Sequence, residues 1–181
     1  MKRLAILLIS LPFFLGNIFA QTFTLSTSDV GGQATLKQVF KGFGCEGENV
    51  SPQLSWENAP EGTKSFAITM YDKDAPTGSG WWHWLAFDIA ASTSEIPSGA
   101  GDPAKALMPA GTIQSLTNYG VPGFGGPCPP EGHGPHQYVL TVYALNVDKL
   151  GLDANTNPAI VGYYLNNATI QKASIVFYYQ R

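Results

Sequence analysis

The sequence predicts a single domain built mainly from β-strands. Three segments carry strong strand signals, with apolar and β-branched or aromatic residues over 65–71, 82–89 and 138–147. The chain also contains 20 glycines and 13 prolines, while only 13% of its residues are charged. This combination of many turn-forming residues and little charge is typical of a compact, loop-rich β protein rather than a disordered one.

The weaker strands are predicted from short runs bounded by turn residues. They lie at 22–28, 35–40 and 174–179, with strand and turn together at 49–60. The segment 91–128 is rich in glycine, proline, serine and alanine. Because an irregular stretch of this length is unusual inside a compact domain, we expect it to carry function.

One helix is predicted over 158–170. Pro158 lies near its first turn, where proline is well tolerated. The residues that should form its apolar stripe towards the core are Ile160, Val161, Tyr164, Leu165 and Ala168.

Residues 1–20 have the layout of a secretory signal peptide. Two basic residues are followed by an apolar run over 4–15, and the segment ends at the small residue Ala20. The run is too short to span about 30 Å of hydrocarbon comfortably as a membrane anchor. We therefore expect a mature chain that begins at Gln21, one domain over 21–181, and a periplasmic or secreted location.

Charge and hydropathy exclude several kinds of partner. The chain has 13 acidic and 10 basic residues and no basic run that would favour nucleic acid or an anionic membrane surface. After the leader, no apolar stretch is long enough to predict a transmembrane segment.

The chain has two cysteines, Cys45 and Cys128. In an exported protein, a lone pair of cysteines predicts a disulfide, because the compartment is oxidising. The alternative is a pair of buried thiols.

Three clusters of polar residues lie at predicted strand ends. Asp72 and Asp74, spaced by two, should point to one face of an extended chain, although acids before a proline also cap ordinary turns. His83 follows two tryptophans, Trp81 and Trp82, and should share a strand face with Leu85, Phe87 and Ile89. It is either a satisfied structural histidine or the floor of a pocket.

The third cluster is the glycine- and proline-rich loop over 125–135, together with the strand start that follows it. The loop carries His133, and His136 and Tyr138 should share a face with Leu140 and Val142. Such a loop is unlike a plain connector, because proline stiffens it and glycine allows close backbone approach.

Taken together, the three clusters resemble the signature segments of the phosphatidylethanolamine-binding protein (PEBP, Raf-kinase-inhibitor-like) family, and in particular its bacterial branch. The matching segments are Asp72-x-Asp74-x-Pro76, Trp81-x-His83-Trp84 and the Gly-Pro-Cys-Pro-Pro-x-Gly-x-Gly-Pro-His-x-Tyr run over 126–138. The resemblance covers nearly the whole of 21–181 in the family's order.

This resemblance implies a fold and a site. It implies a large central antiparallel-type sheet packed on a smaller sheet, with few short helices. It also implies a small pocket for phosphate, acetate or phosphorylated head groups, formed by Asp72, Asp74, Trp81, His83, Pro129, His136 and Tyr138.

We expect a ligand-binding protein rather than an enzyme, with no cofactor and no metal. Imidazole N–H and phenol O–H groups would meet an anion, while Asp72 and Asp74 would either hold a charged histidine or meet an ammonium group. One alternative is an inhibitor of an extracytoplasmic or host kinase or protease. Another is a metal-dependent hydrolase, since His133, His136 and Cys128 are residue types found in zinc sites.

Overall fold

The computed structural model describes residues 21–181, so the predicted leader lies outside the described residues. The described chain forms one α-helix, α1 (Pro158–Ala168), one short 3-10 helix (Pro103–Lys105) and ten strands. The strands are β1 (Thr24–Ser26), β2 (Lys41–Gly42), β3 (Cys45–Glu46), β4 (Leu54–Glu57), β5 (Ser65–Asp72), β6 (Trp81–Ala90), β7 (Glu95–Ile96), β8 (Ile113–Gln114), β9 (His136–Leu145) and β10 (Thr169–Tyr179). Within this part of the chain, no helix combines the length and hydropathy needed to span a bilayer.

The large sheet has the strand order β10-β9-β5-β6-β8, and all of its neighbours are antiparallel. The central strand β5 is buried along its whole length except at Tyr71. Its two faces alternate as predicted, with Phe66, Ile68 and Met70 on one side and Ala67 on the other.

The sheet lies between two covering layers. On one face, the small sheet β1-β4-β7 contributes Leu25, Leu54 and Ile96 to the core that contains Ile68 and Met70. On the other face, α1 packs against a second apolar cluster. The mainly β fold, with a large sheet packed on a smaller one and few helices, is therefore confirmed.

Helix α1 begins where the proline predicts. Asn157 caps it, because its side-chain oxygen accepts the Ala159 N–H at 2.9 Å. The helix ends two residues before the predicted 170, since the chain turns directly into β10 at Thr169. Of the predicted apolar stripe, Val161, Leu165 and Ala168 are buried, but Ile160 and Tyr164 are exposed. The helix therefore meets the sheet along a single row of side chains.

Two further elements differ from the prediction. Residues 35–40 form a turn instead of a strand, because the Thr35 carbonyl accepts the Gln38 N–H at 3.0 Å and the Gln38 side chain accepts the Thr35 N–H at 3.1 Å. The last strand begins at Thr169 rather than 174, since its pairing with β9 continues almost to the end of α1.

Of two β-bulges in β6, one changes the face of His83. Met70 lies opposite Trp84, but the next residue of β5, Tyr71, lies opposite Trp82, so His83 is an extra residue. The prediction that His83 shares a face with Leu85 and Phe87 is wrong, because those two residues pack under α1.

The other bulge lies nearer the end of β6. Phe66 pairs with Ile89, whereas Ile68 pairs with Ala86, so this segment also holds one extra residue. It contains Asp88, whose φ of 59° lies in the left-handed region. Because of this bulge, Ile89 packs in the core shared with the small sheet. The predicted alternation of faces along β6 is therefore interrupted at two positions.

Candidate functional site

A cavity of about 190 Å³ opens where three strand ends meet. Because β5 runs antiparallel to both of its neighbours, its last residue lies beside the first residues of β6 and β9. Asp72 is paired with Trp81 on one side and with Tyr138 on the other. The cavity is lined by Phe43, Asp72, Ala75, Pro76, Thr77, Trp81, His83, Tyr119, Cys128, Pro129, Pro130, His136 and Tyr138.

This lining includes six of the seven residues predicted from the sequence, all except Asp74. The Asp74 carboxylate instead accepts the Gln137 N–H at 2.8 Å and the Lys73 ammonium at 2.9 Å. The hydrogen bond from Lys73 is the main reason why the pKa of Asp74 is lowered. Asp74 therefore ties the end of β5 to the start of β9 beside the cavity.

A chain of three side chains runs from the buried carboxylate towards the surface. The Oδ2 of Asp72 accepts a hydrogen bond from Nδ1 of His136 at 2.7 Å. The other ring nitrogen of His136, Nε2, lies 2.8 Å from Nδ1 of the exposed His133. Because both of its nitrogens have protein partners, His136 lines the cavity without presenting a free N–H to it.

His83 is held by the loop before β9. Its Nδ1 donates to the carbonyl oxygen of Gly125 at 2.7 Å, and its own carbonyl accepts the Gly125 N–H at 2.8 Å. Burial lowers the pKa of His83 to about 4, despite the opposing effect of the Gly125 hydrogen bond and of Asp72. His83 is thus a neutral imidazole at pH 7, so it is not the charged histidine of the first alternative left open by the sequence.

Two buried hydrogen-bond donors line the cavity without a partner in the described chain. They are the indole Nε1 of Trp81 and the hydroxyl of Tyr138. Burial is the main reason why the pKa of Tyr138 is raised, so its phenol keeps the proton. The charge of the nearby Asp72 carboxylate adds to this effect, as does a contact with it that falls outside hydrogen-bond geometry. Since an unpaired buried donor is costly, these two groups are the strongest local sign of a ligand.

An aromatic wall encloses one side of the cavity and was missed in the sequence. Tyr119 stacks on Phe40 with ring centroids 4.2 Å apart and contacts His83 edge to face. Phe43 continues the wall and leaves 69% of its surface exposed at the rim. The only sequence signal for Tyr119 is its position in the long irregular segment, which was expected to carry function.

The predicted disulfide between Cys45 and Cys128 is present, with Cα atoms 6.0 Å apart. It joins the β2–β3 hairpin, which carries Phe43, to the side of the cavity that Pro129 and Pro130 line. Arg181 reinforces this contact by donating to the carbonyl oxygens of Pro129, Phe43 and Gly44. Since Cys128 is bonded to Cys45, it is not the thiolate that the zinc alternative requires.

Comparisons with known proteins agree on one family. The family model described as phosphatidylethanolamine-binding protein matches residues 26–180. The UPF0098 protein YbcL of Escherichia coli K12 is 45% identical over 172 residues, which cover 94% of each chain. YbhB of the same organism, also named a UPF0098 protein, is 42% identical over 145 residues, which cover 80% of this chain and 90% of YbhB.

A solved structure shares the fold. The crystal structure of E. coli YbcL, described as a new member of the mammalian PEBP family, superposes with a TM-score of 0.86 at 46% identity. The match covers 88% of this chain and 98% of the YbcL chain.

Proposed function

Because the chain belongs to the phosphatidylethanolamine-binding protein family, we propose that it binds a small anionic or phosphorylated ligand in the cavity beside Asp72. The observation that carries the proposal is the pair of buried, unpartnered donors, Trp81 Nε1 and Tyr138 Oη. An oxyanion supplies acceptors for both donors. Hydrogen bonds to a charged group are also the strong ones in a site closed off from water.

The size of the cavity restricts the ligand. A volume of about 190 Å³ is smaller than the 300–1,000 Å³ or so of pockets that hold drug-sized molecules. The cavity therefore suits a phosphate or phosphorylated head group, while any larger substituent would extend over the rim at Phe43.

The proposed role is binding rather than catalysis. Catalysis would need a nucleophile or a general base within hydrogen-bond reach of the bound ligand. Both nitrogens of His136 are engaged by Asp72 and His133, and the sulfur of Cys128 is engaged by Cys45. His83 keeps one free nitrogen, but burial lowers its pKa to about 4, so it is a weak base at neutral pH. Incubation with an aryl phosphate should therefore release no phenol above the uncatalysed rate.

The proposed location is extracytoplasmic, either periplasmic or secreted. The Cys45–Cys128 disulfide supports this, because structural disulfides persist in oxidising compartments. The signal-like layout of 1–20 gives independent support from the sequence.

Calorimetric titration with phosphate and phosphoethanolamine tests the binding proposal. Replacing Tyr138 by Phe removes the hydroxyl and keeps the ring, so affinity should fall by about 1.5–3 kcal/mol. Tyr143→Phe is the matched control, because Tyr143 lies on the same strand but contacts the cluster under α1. If Tyr138→Phe and the parent bind with equal affinity, the cavity is not the binding site.

The exposed ring of Phe43 favours a second candidate function, in which a protein target docks at the rim. An extracytoplasmic or host kinase or protease would be inhibited by such an interaction. A photoreactive aromatic residue placed at position 43 should then crosslink to one discrete protein in the native compartment. Crosslinks spread over many abundant proteins, or none at all, would remove this candidate.

A further inference from the structure

We propose that the cavity selects a phosphate monoester that retains one proton, and discriminates against phosphate diesters and sulfate esters. The ligand would donate one hydrogen bond to His83 and accept others from Tyr138 and Trp81. This inference rests on the proposed function and specifies its ligand class.

The tautomer of His83 is set by the backbone. A carbonyl oxygen can only accept, so the 2.7 Å contact between Nδ1 and the Gly125 oxygen requires a hydrogen on Nδ1. In the neutral ring, Nε2 is then a lone-pair acceptor. Since the backbone holds Nδ1, Nε2 is the nitrogen left for the cavity that the ring lines.

The cavity therefore presents an acceptor as well as donors. The free acceptor is Nε2 of His83, since both oxygens of Asp72 already accept hydrogen bonds from the protein, and the unpartnered donors are Tyr138 and Trp81. None of the described residues that line the cavity is a lysine or an arginine. A fully deprotonated oxyanion would place its lone pairs against those of His83, whereas an oxyanion with one proton satisfies both sets.

The groups around His83 keep it neutral without a ligand. The titratable groups that line the same cavity are Asp72 on β5, His136 and Tyr138 on β9, and Tyr119 in the loop. Burial outweighs the attraction of Asp72 and lowers the pKa of His83 to about 4. At neutral pH His83 therefore does not carry the proton of its hydrogen bond to the ligand before binding, so this proton comes with the ligand or is taken up from solvent as the ligand binds.

Ligand chemistry decides which oxyanions can bring that proton. A phosphate monoester has a second pKa of about 6, so much of it still carries a proton near that pH. A phosphate diester, such as an intact phospholipid head group, and a sulfate ester have both lost their only acidic proton. The site should therefore prefer a free phosphomonoester to a membrane-embedded diester.

The test uses the wild-type protein and three matched ligands at pH 6: methyl phosphate, dimethyl phosphate and methyl sulfate. We expect dimethyl phosphate and methyl sulfate to bind at least about tenfold more weakly, the size of one hydrogen bond to a charged group. Methyl phosphate affinity should fall by up to about tenfold per pH unit above pH 6, as the ligand loses its proton. At pH 7.5, calorimetry in buffers of different ionisation enthalpy should show uptake of close to one proton per methyl phosphate bound.

A competition experiment distinguishes a free phosphomonoester from a membrane lipid as the bound ligand, and a variant isolates the contribution of Tyr138. Phosphoethanolamine should compete with methyl phosphate, whereas vesicles containing phosphatidylethanolamine should not. Tyr138→Phe should weaken methyl phosphate and dimethyl phosphate alike and leave their ratio unchanged, because Tyr138 donates to oxygens that both ligands have. The Tyr143→Phe control should change neither affinity nor ratio.

The outcomes are distinguishable. Equal affinity for the three ligands without proton uptake would overturn this inference and leave the proposed function standing. Tight binding of ethanolamine alone would also overturn it, because His83 and Asp72 would then form a cation site. If no oxyanion binds at all, both the inference and the proposed function fail.

Discussion

His83 and Gly125 exchange two hydrogen bonds. The carbonyl oxygen of Gly125 accepts from the His83 ring at 2.7 Å, and the Gly125 N–H donates to the His83 carbonyl at 2.8 Å. This pair joins the bulge of β6 to the irregular loop before β9. One loop residue thus sets both the position of the ring and its proton, and the cavity depends on both.

Acidification should destabilise the protein through His83. Its pKa is about 4 in the folded state and about 6.5 in an unfolded chain. The unfolded state therefore takes up the proton first, and the stability present above pH 6.5 is lost as the pH falls towards 4. Urea unfolding should show a loss of about 1.5 kcal/mol between pH 6.5 and 5.

A His83→Gln variant is the control for this measurement, because it has no titrating group at position 83. Its stability should change less over the same interval than that of the parent. Equal stability of the parent at pH 6.5 and 5 would contradict the buried neutral histidine.

Breaking the disulfide should cost both stability and binding. The bond joins residues 83 positions apart, so the chain-entropy model attributes about 4–5 kcal/mol to it. The reduced protein should also bind phosphate more weakly, because the hairpin would lose its covalent link and be held by Arg181 and the stacking of Phe43 on Tyr119. Equilibrium unfolding and calorimetry with and without reductant measure the two effects. Two free thiols in exported protein from its own cells would contradict the bond itself.

Gly126→Ala should be strongly destabilising. A Cβ at this position would overlap the carbonyl oxygen of Gln38, and both backbones are fixed. The Gly126 N–H donates to the Asn49 side chain, and Pro127 accepts from Phe40. We expect a loss of at least about 2 kcal/mol in the free energy of unfolding.

Gly31→Ala is the matched control, because nothing lies within 4 Å of a Cβ at Gly31. Its stability should stay within about 0.5 kcal/mol of the parent. If the two alanine variants unfold at the same denaturant concentration, the close contact at Gly126 is not rigid.

The exported protein should begin at Gln21. The basic start, apolar run and terminal Ala20 of 1–20 predict cleavage there. N-terminal sequencing of the protein recovered from the exported fraction checks this. A start far from residue 21, or retention of the whole chain in the membrane, would count against the leader.

The local sequence pattern was sufficient to predict those strands and helix ends whose conformation depends only on neighbouring residues. The strands predicted at 65–71 and 138–147, the second of which lies at His136–Leu145, and the start of the helix at Pro158 follow from alternation, apolar spacing and capping. The 35–40 segment could not be predicted in this way, because its conformation depends on hydrogen bonds made by the Gln38 side chain. The exposure of Ile160 and Tyr164 likewise depends on how α1 sits on the sheet.

Sequence motifs at three strand ends predicted six of the residues that line the cavity, but they did not predict its aromatic wall or the place of Asp74 beside it. The chemistry of these residues was decided only by the tertiary structure. His83 faces Tyr138 because a bulge inserts one residue into β6. The alternation of residues along a strand does not predict such an insertion, because it depends on how β6 pairs with β5. The neutral state of His83 and its free Nε2 come from burial and from Gly125, which lies 42 residues away in the chain. A pKa and a tautomer depend on the groups that surround a side chain in space, and only the folded chain brings those groups together.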